Sequence, residues 1–238
     1  MMTTGYCSVE TSQMMQKQAD GLREEGKTAE ALDLYNRALI SFQKEHDYKG
    51  ILEVLCGRLI SWQHLFNHEE DKVYAILARK EAEAMLSIAE EYQIHDKDYL
   101  IHFLFGKTWI FLKDFPSAQI EYSKAIELYP LENAEKGDWM AHLGEATYRS
   151  GLKEEGKAII LKGVQQIQAH AQDVDSFQIN VWISGAYLRL AKILINDDIE
   201  EAKIYLQKGE KIVNSDPRLV IRKQQLAILK QKIPHPIE

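Results

Sequence analysis

The stretch from Leu104 to Pro130, LFGKTWIFLKDFPSAQIEYSKAIELYP, constrains the fold more than any other part of the chain. Its first half is apolar at Phe105, Trp109 and Leu112 and its second at Ile120, Tyr122, Ala125 and Ile126. Each half therefore presents a stripe at helical spacing and not the alternation of a strand. Asp114 and Pro116 mark a turn between them. A short acidic side chain there can cap the orphan amides of a second helix, and proline in a first helical turn forfeits no needed N–H. Pro130 stops the second helix, so the stretch is predicted to be two helices folded back to back.

This stretch resembles a tetratricopeptide (TPR) repeat, a helix pair with the pattern W-x2-L-G-x2-Y followed by A-x3-F/Y-x2-A-x4-P. Ala118, Tyr122, Ala125 and Pro130 fall at the four spacings of the second helix, and Phe105, Gly106 and Trp109 match the first-helix L-G-x2-Y with conservative changes. His102 stands where the tryptophan is usual. Small residues at Gly106 and Ala118 would keep two helix surfaces close, with Trp109 and Tyr122 filling the space beside them. The resemblance implies an all-α fold, a right-handed α-solenoid of about five TPR-like helix-turn-helix repeats, stabilised by neighbour-to-neighbour stacking.

The rest of the chain is consistent with that expectation. Only 5 prolines and 13 glycines occur among 238 residues, and no β-branched run alternates with polar residues, which argues for helices throughout. The first ten residues read as a loose tail. In the first unit Gly26 marks the turn and Ala31, Tyr35 and Ala38 repeat the A-x3-Y-x2-A spacing. The second unit offers Leu55, Gly57 and Ile60, then a turn from Asn67 to Asp71 without glycine. The fourth carries Leu143, Gly144, a Gly151 turn, then Gly156, Ile160 and Gly163, where close helix contact would explain two glycines inside one helix. The fifth runs from about Val174 to Asn214, with Trp182, Gly185 and Leu188, an NDD turn, and Ala202, Leu206 and Gly209. A last helix from Pro217 is expected to cap it. The expected organisation is a tail at 1–10, a solenoid at 11–215 and a capping helix with its tail at 216–238.

The formal net charge of −7 argues against bulk electrostatic binding to nucleic acid or an anionic membrane surface. Two cysteines, Cys7 and Cys56, do not make a disulfide framework, no targeting segment or long apolar run is visible, and a reducing cytoplasm is the expected setting. No phosphate loop, zinc-type cysteine pair, nucleophile elbow or H-E-x-x-H helix occurs, so an enzyme is not expected, and neither is a cofactor. His64 and His68 lie four apart beside Glu69 and Glu70, but two ligands make a poor metal site and they read as surface or turn histidines. The bases of the last helix, Arg218, Arg222, Lys223, Lys230 and Lys232, read as a solvated capping face.

The TPR resemblance implies that the first helix of each pair lines a concave binding groove. In register, the groove collects Gln16, Asp20 and Arg23 from the first unit, Arg58 and Trp62 from the second, and Phe103 and Lys107 from the third. Glu145, Tyr148 and Arg149 follow from the fourth, and Trp182 and Arg189 from the fifth. Five bases and several aromatics against two acids suit an acidic peptide with apolar anchors. TPR co-chaperones that grip a C-terminal acidic tail use lysine and asparagine where this chain has Gln16 and Asp20, so that particular ligand is not implied. The expected function is a non-catalytic module binding a protein or peptide partner, with a ligand-sensing regulator as the alternative.

Overall fold

The computed structural model describes residues 11–233. The tail at 1–10, with Cys7, and the stretch 234–238 lie outside the described residues. Within them the chain forms eleven α-helices and one short 3-10 turn, with no strand. By contact density it divides into two compact units that meet in sequence at Lys113 and Asp114, inside the turn of the Leu104–Pro130 stretch.

The first unit holds α1 (Ser12–Glu24), α2 (Thr28–Glu45), α3 (Tyr48–Glu69), α4 (Lys72–Glu91) and α5 (Asp98–Leu112). Each helix packs on the next, and α1 also meets α3, as α3 meets α5, which is the neighbour-on-neighbour pattern of stacked helix pairs. The sequence explains the turns. Gly26 takes a left-handed φ of +78° between α1 and α2, which only glycine adopts freely. The glycine-free turn after α3 puts Glu70 in that region instead (φ 56°), and Asp71 then caps α4 through the Val73 amide. The α2–α3 contact depends on two glycines seven residues apart: a methyl on Gly50 would lie 2.4 Å from the Phe42 ring, and one on Gly57 2.4 Å from the Tyr35 ring. Phe42 and Tyr35 are also seven apart, so two aromatic knobs of α2 fill two holes of α3.

The second unit holds α6 (Phe115–Leu128), α7 (Ala134–Arg149), α8 (Lys153–Ala169), α9 (Ser176–Leu194), α10 (Ile199–Ser215) and α11 (Val220–Lys232). Asp114 caps α6 through the Ser117 amide at 3.1 Å, with Pro116 in the first turn as expected. Asp198, the last residue of the NDD turn, caps α10 in the same way. The α7–α8 pair is the tightest. A methyl on Gly144 would stand 2.6 Å from the Gly156 carbonyl oxygen, and one on Gly137 2.5 Å from that of Gly163, so backbone lies against backbone at two levels. Such closeness accounts for glycines whose helix propensity is about 1 kcal/mol below alanine's. The last helix starts at Val220, not Pro217, because residues 216–218 form a turn in which the buried Asp216 accepts from the Arg218 amide and guanidinium. α11 then buries Leu226 and Leu229 over α9 and α10, covering the fifth pair.

Candidate functional site

The first unit contains a cavity of about 440 Å³ between α1, α3 and the start of α5. Gln16, Asp20 and Arg23 of α1 form one wall, because residues spaced by four and three share a helix face. The face of α3 that meets it is set by Gly57. With Gly57 pressed on Tyr35 of α2, the neighbouring positions Glu53, Cys56 and Ile60 turn toward α1. Leu100 and Ile101 of α5, Leu52 of α3 and Met85 of α4 complete an apolar floor, and Lys97 stands at its edge.

The charges of this cavity are compensated within it. Glu53 pairs with Lys97 and accepts from Gln16 Nε2 at 3.1 Å. Burial alone would raise its pKa, but the bonds from Lys97 and Gln16 hold the carboxyl below its ordinary value. Arg23 donates to Asp20 at 3.0 Å and to the Tyr35 hydroxyl at 2.8 Å. Burial pushes the Cys56 thiol up to about 11, so it is protonated at neutral pH and a poor nucleophile. The cavity is therefore an apolar recess with a neutralised polar rim, suited to an uncharged apolar group.

Of the groove residues expected on α3 and α5, none lines this cavity. Arg58 and Trp62 face α4: Arg58 pairs with the buried Glu81 at 2.7 Å, and Trp62 Nε1 donates to the same carboxylate at 3.3 Å. At 100° per residue Arg58 falls on the side of α3 opposite Glu53, Cys56 and Ile60. Phe103 is buried, and Lys107 is not without a partner. With Glu81 as its partner, Arg58 is turned to α4 and does not line the recess.

In the second unit Tyr148 is buried and its hydroxyl donates to Asp197 at 2.6 Å, tying α7 to the turn before α10 and not offering a groove anchor. Trp182 is half-buried against the core of this unit. Arg149 and Arg189 converge on Glu145, whose side chain is 3 % exposed. Burial would raise that carboxyl, but Arg189, Lys192 and Arg149 outweigh it and bring the pKa to about 2. Arg189 also donates to His142 Nε2 at 2.9 Å. Among the described residues no group of three or more potential ligands could hold a metal ion, and no helix is long and apolar enough to cross a membrane.

No family model matches the sequence, and comparison with curated proteins finds no match. Among solved structures the chain is similar to the crystal structure of BtubC (BKLC) from P. vanneervenii, with a TM-score of 0.61 and 20 % identity over 95 % of this chain and 84 % of that one. At that identity the likeness is one of fold, and it agrees with the all-α, solenoid-like arrangement of helix pairs.

Proposed function

We propose that the protein is a TPR-like, non-catalytic binding module whose first unit seats a polypeptide partner, with an apolar side chain of that partner inserted between α1, α3 and α5. The observation that carries this reading is the recess itself, about 440 Å³ with an apolar floor and a rim whose charges pair with one another. Binding energy in such interfaces concentrates in a few buried apolar or aromatic anchors, and a neutral rim favours an uncharged one. The repeat spacing of Ala31, Tyr35 and Ala38, of which all three are fully buried, supports the helix-pair scaffold on which such modules are built. A soluble adaptor working in the cytoplasm is the setting this reading assigns.

The test is affinity capture from native lysate with the full chain and with Ile60→Trp, which fills the recess from a half-buried position. Loss of the captured partner with an unchanged melting temperature supports the reading, and undiminished capture overturns it. The volume also falls in the range of small-molecule sites, about 300–1,000 Å³, so a ligand-sensing regulator is the second reading. Native mass spectrometry separates the two: a bound small molecule lost in Ile60→Trp favours the sensor.

A further inference from the structure

The second unit carries an imbalance of charge that packing does not explain. Glu145 of α7 is one buried carboxylate with three cations around it. Arg149 Nε donates to its Oε1 at 2.9 Å, Arg189 Nη1 pairs with Oε2, and Lys192 Nζ stands 3.9 Å from Oε1, beyond hydrogen-bonding reach. A fourth cation comes from α11. Arg222 lies against α9 at Gly185, where a methyl would meet its Nη2 at 2.6 Å, and it donates to the Val181 carbonyl and to Gln225. Its electrostatic neighbours are Asp138 and the like-charged Arg189.

Among the described residues four cations thus share Glu145 and Asp138 on α7, α9 and α11, and the like-charged Lys232 of α11 also acts on Lys192. Partly buried positive charge in excess of the carboxylates around it is costly, and an anion that binds there lowers the cost. Two of the four are placed to receive it. The Arg149 side chain is 27 % exposed and the Lys192 side chain 53 %, against 3 % for the carboxylate beneath them. Arg149 meets Glu145 through Nε, and its guanidinium is braced 5.4 Å over the Phe115 ring. Glu145 pulls the Lys192 ammonium toward the charged form, yet burial and the neighbouring Arg149, Arg189 and Lys232 bring its pKa below the ordinary value, a sign of excess positive potential at this point.

We propose that Arg149 and Lys192, held in place over Glu145, form a seat for acidic side chains of a partner polypeptide. Glu145 acts as the positioning residue. This inference does not depend on the recess in the first unit, which accepts an uncharged group.

The probe is a fluorescein-labelled hexaglutamate peptide with an amidated end, titrated with the full chain at low salt and followed by fluorescence anisotropy. Arg149→Gln is expected to weaken binding about 5- to 20-fold, as the loss of a charge-assisted contact at a partly desolvated site implies, and the more exposed Lys192→Gln about 3- to 5-fold, with Lys192→Arg staying within about twofold. Lys162→Gln removes the same charge from an exposed position on α8 and is expected to change affinity less than about twofold, the effect of general charge alone. Thermal melting confirms that each variant is folded. Equal weakening by Lys162→Gln, or no binding to the unaltered chain, overturns the proposal. Displacement of the peptide by inorganic phosphate far below the concentration at which sodium chloride of equal ionic strength acts would make the seat a phosphate site and overturn the carboxylate assignment.

Discussion

The same chemical change, glycine to alanine, is expected to have opposite signs at two helical positions of this chain. In a helix interior alanine is favoured over glycine by about 1 kcal/mol. At Gly21 of α1 no atom lies within 4 Å of an added methyl, so Gly21→Ala should stabilise by about 0.5–1 kcal/mol. At Gly144 the methyl would lie 2.5 Å from Ile160 Cγ1, 2.6 Å from the Gly156 carbonyl oxygen and 2.8 Å from the Ile160 amide nitrogen. Carbon atoms pack at about 3.5–4.0 Å, and two of these three neighbours are backbone, so the contact is relieved only by separating α7 from α8 by about 1 Å. Overpacking of this kind costs about 1–3 kcal/mol or more and exceeds the propensity gain. Gly144→Ala is therefore expected to destabilise by about 1–2 kcal/mol or more. Urea denaturation followed by tryptophan fluorescence reads the difference, because Trp139 is buried on α7 in the same unit. Stabilisation by Gly144→Ala comparable to that of Gly21→Ala would refute the backbone contact between the two helices.

Three further outcomes follow from the geometry. Glu145 titrates near 2 in place of its ordinary 4.5, so the stability it contributes is present above pH 4.5 and lost as the pH falls toward 2, on the order of 3 kcal/mol; Glu145→Gln should lower stability at neutral pH by about 3–5 kcal/mol and flatten that acid limb in pH-dependent denaturation. Ala118 is fully buried on α6, so Ala118→Trp should cost about 1–3 kcal/mol or more, while Lys124→Trp, at an exposed position of the same helix, should be nearly neutral; the reverse ranking in denaturant would show the helix turned the other way. In a Cys7→Ser background, iodoacetamide should alkylate Cys56 slowly at pH 7 and about tenfold faster per pH unit up to about pH 11; fast reaction at neutral pH would contradict the half-buried, protonated thiol.

Repeat spacing made the helix pairs within each unit legible because their small and aromatic positions are local signals. Gly26 and Gly151 mark turns with positive φ, Asp114 and Asp198 cap the helices that follow them, and the glycines of α7 and α8 lie where two backbones meet. The side chains of the site were less legible. Gln16, Asp20 and Arg23 line the recess, but on α3 the lining is Leu52, Glu53, Cys56, Gly57 and Ile60, and neither Arg58 nor Trp62 belongs to it. The direction of Arg58 and Trp62 is decided by Glu81, a carboxylate that residue type alone would place in solvent but that is 8 % exposed on α4. Tyr148 likewise finds its partner, Asp197, 49 residues along the chain. Pairings of that range leave no periodic trace in the sequence. A signal was nevertheless present in the glycines: had Gly57 been matched with Tyr35 as knob and hole, the remaining faces of α3 would have followed from 100° per residue.

The most direct test of the recess as a binding site is site-specific photocrosslinking, with benzoylphenylalanine placed at Leu100 on the recess floor and, as a control, at the exposed Asn36 of α2. The account predicts that a captured partner crosslinks from position 100, through a segment carrying an apolar side chain, and not from position 36. Crosslinking from position 36 with none from position 100 would contradict it and place the binding surface on another face of the first unit.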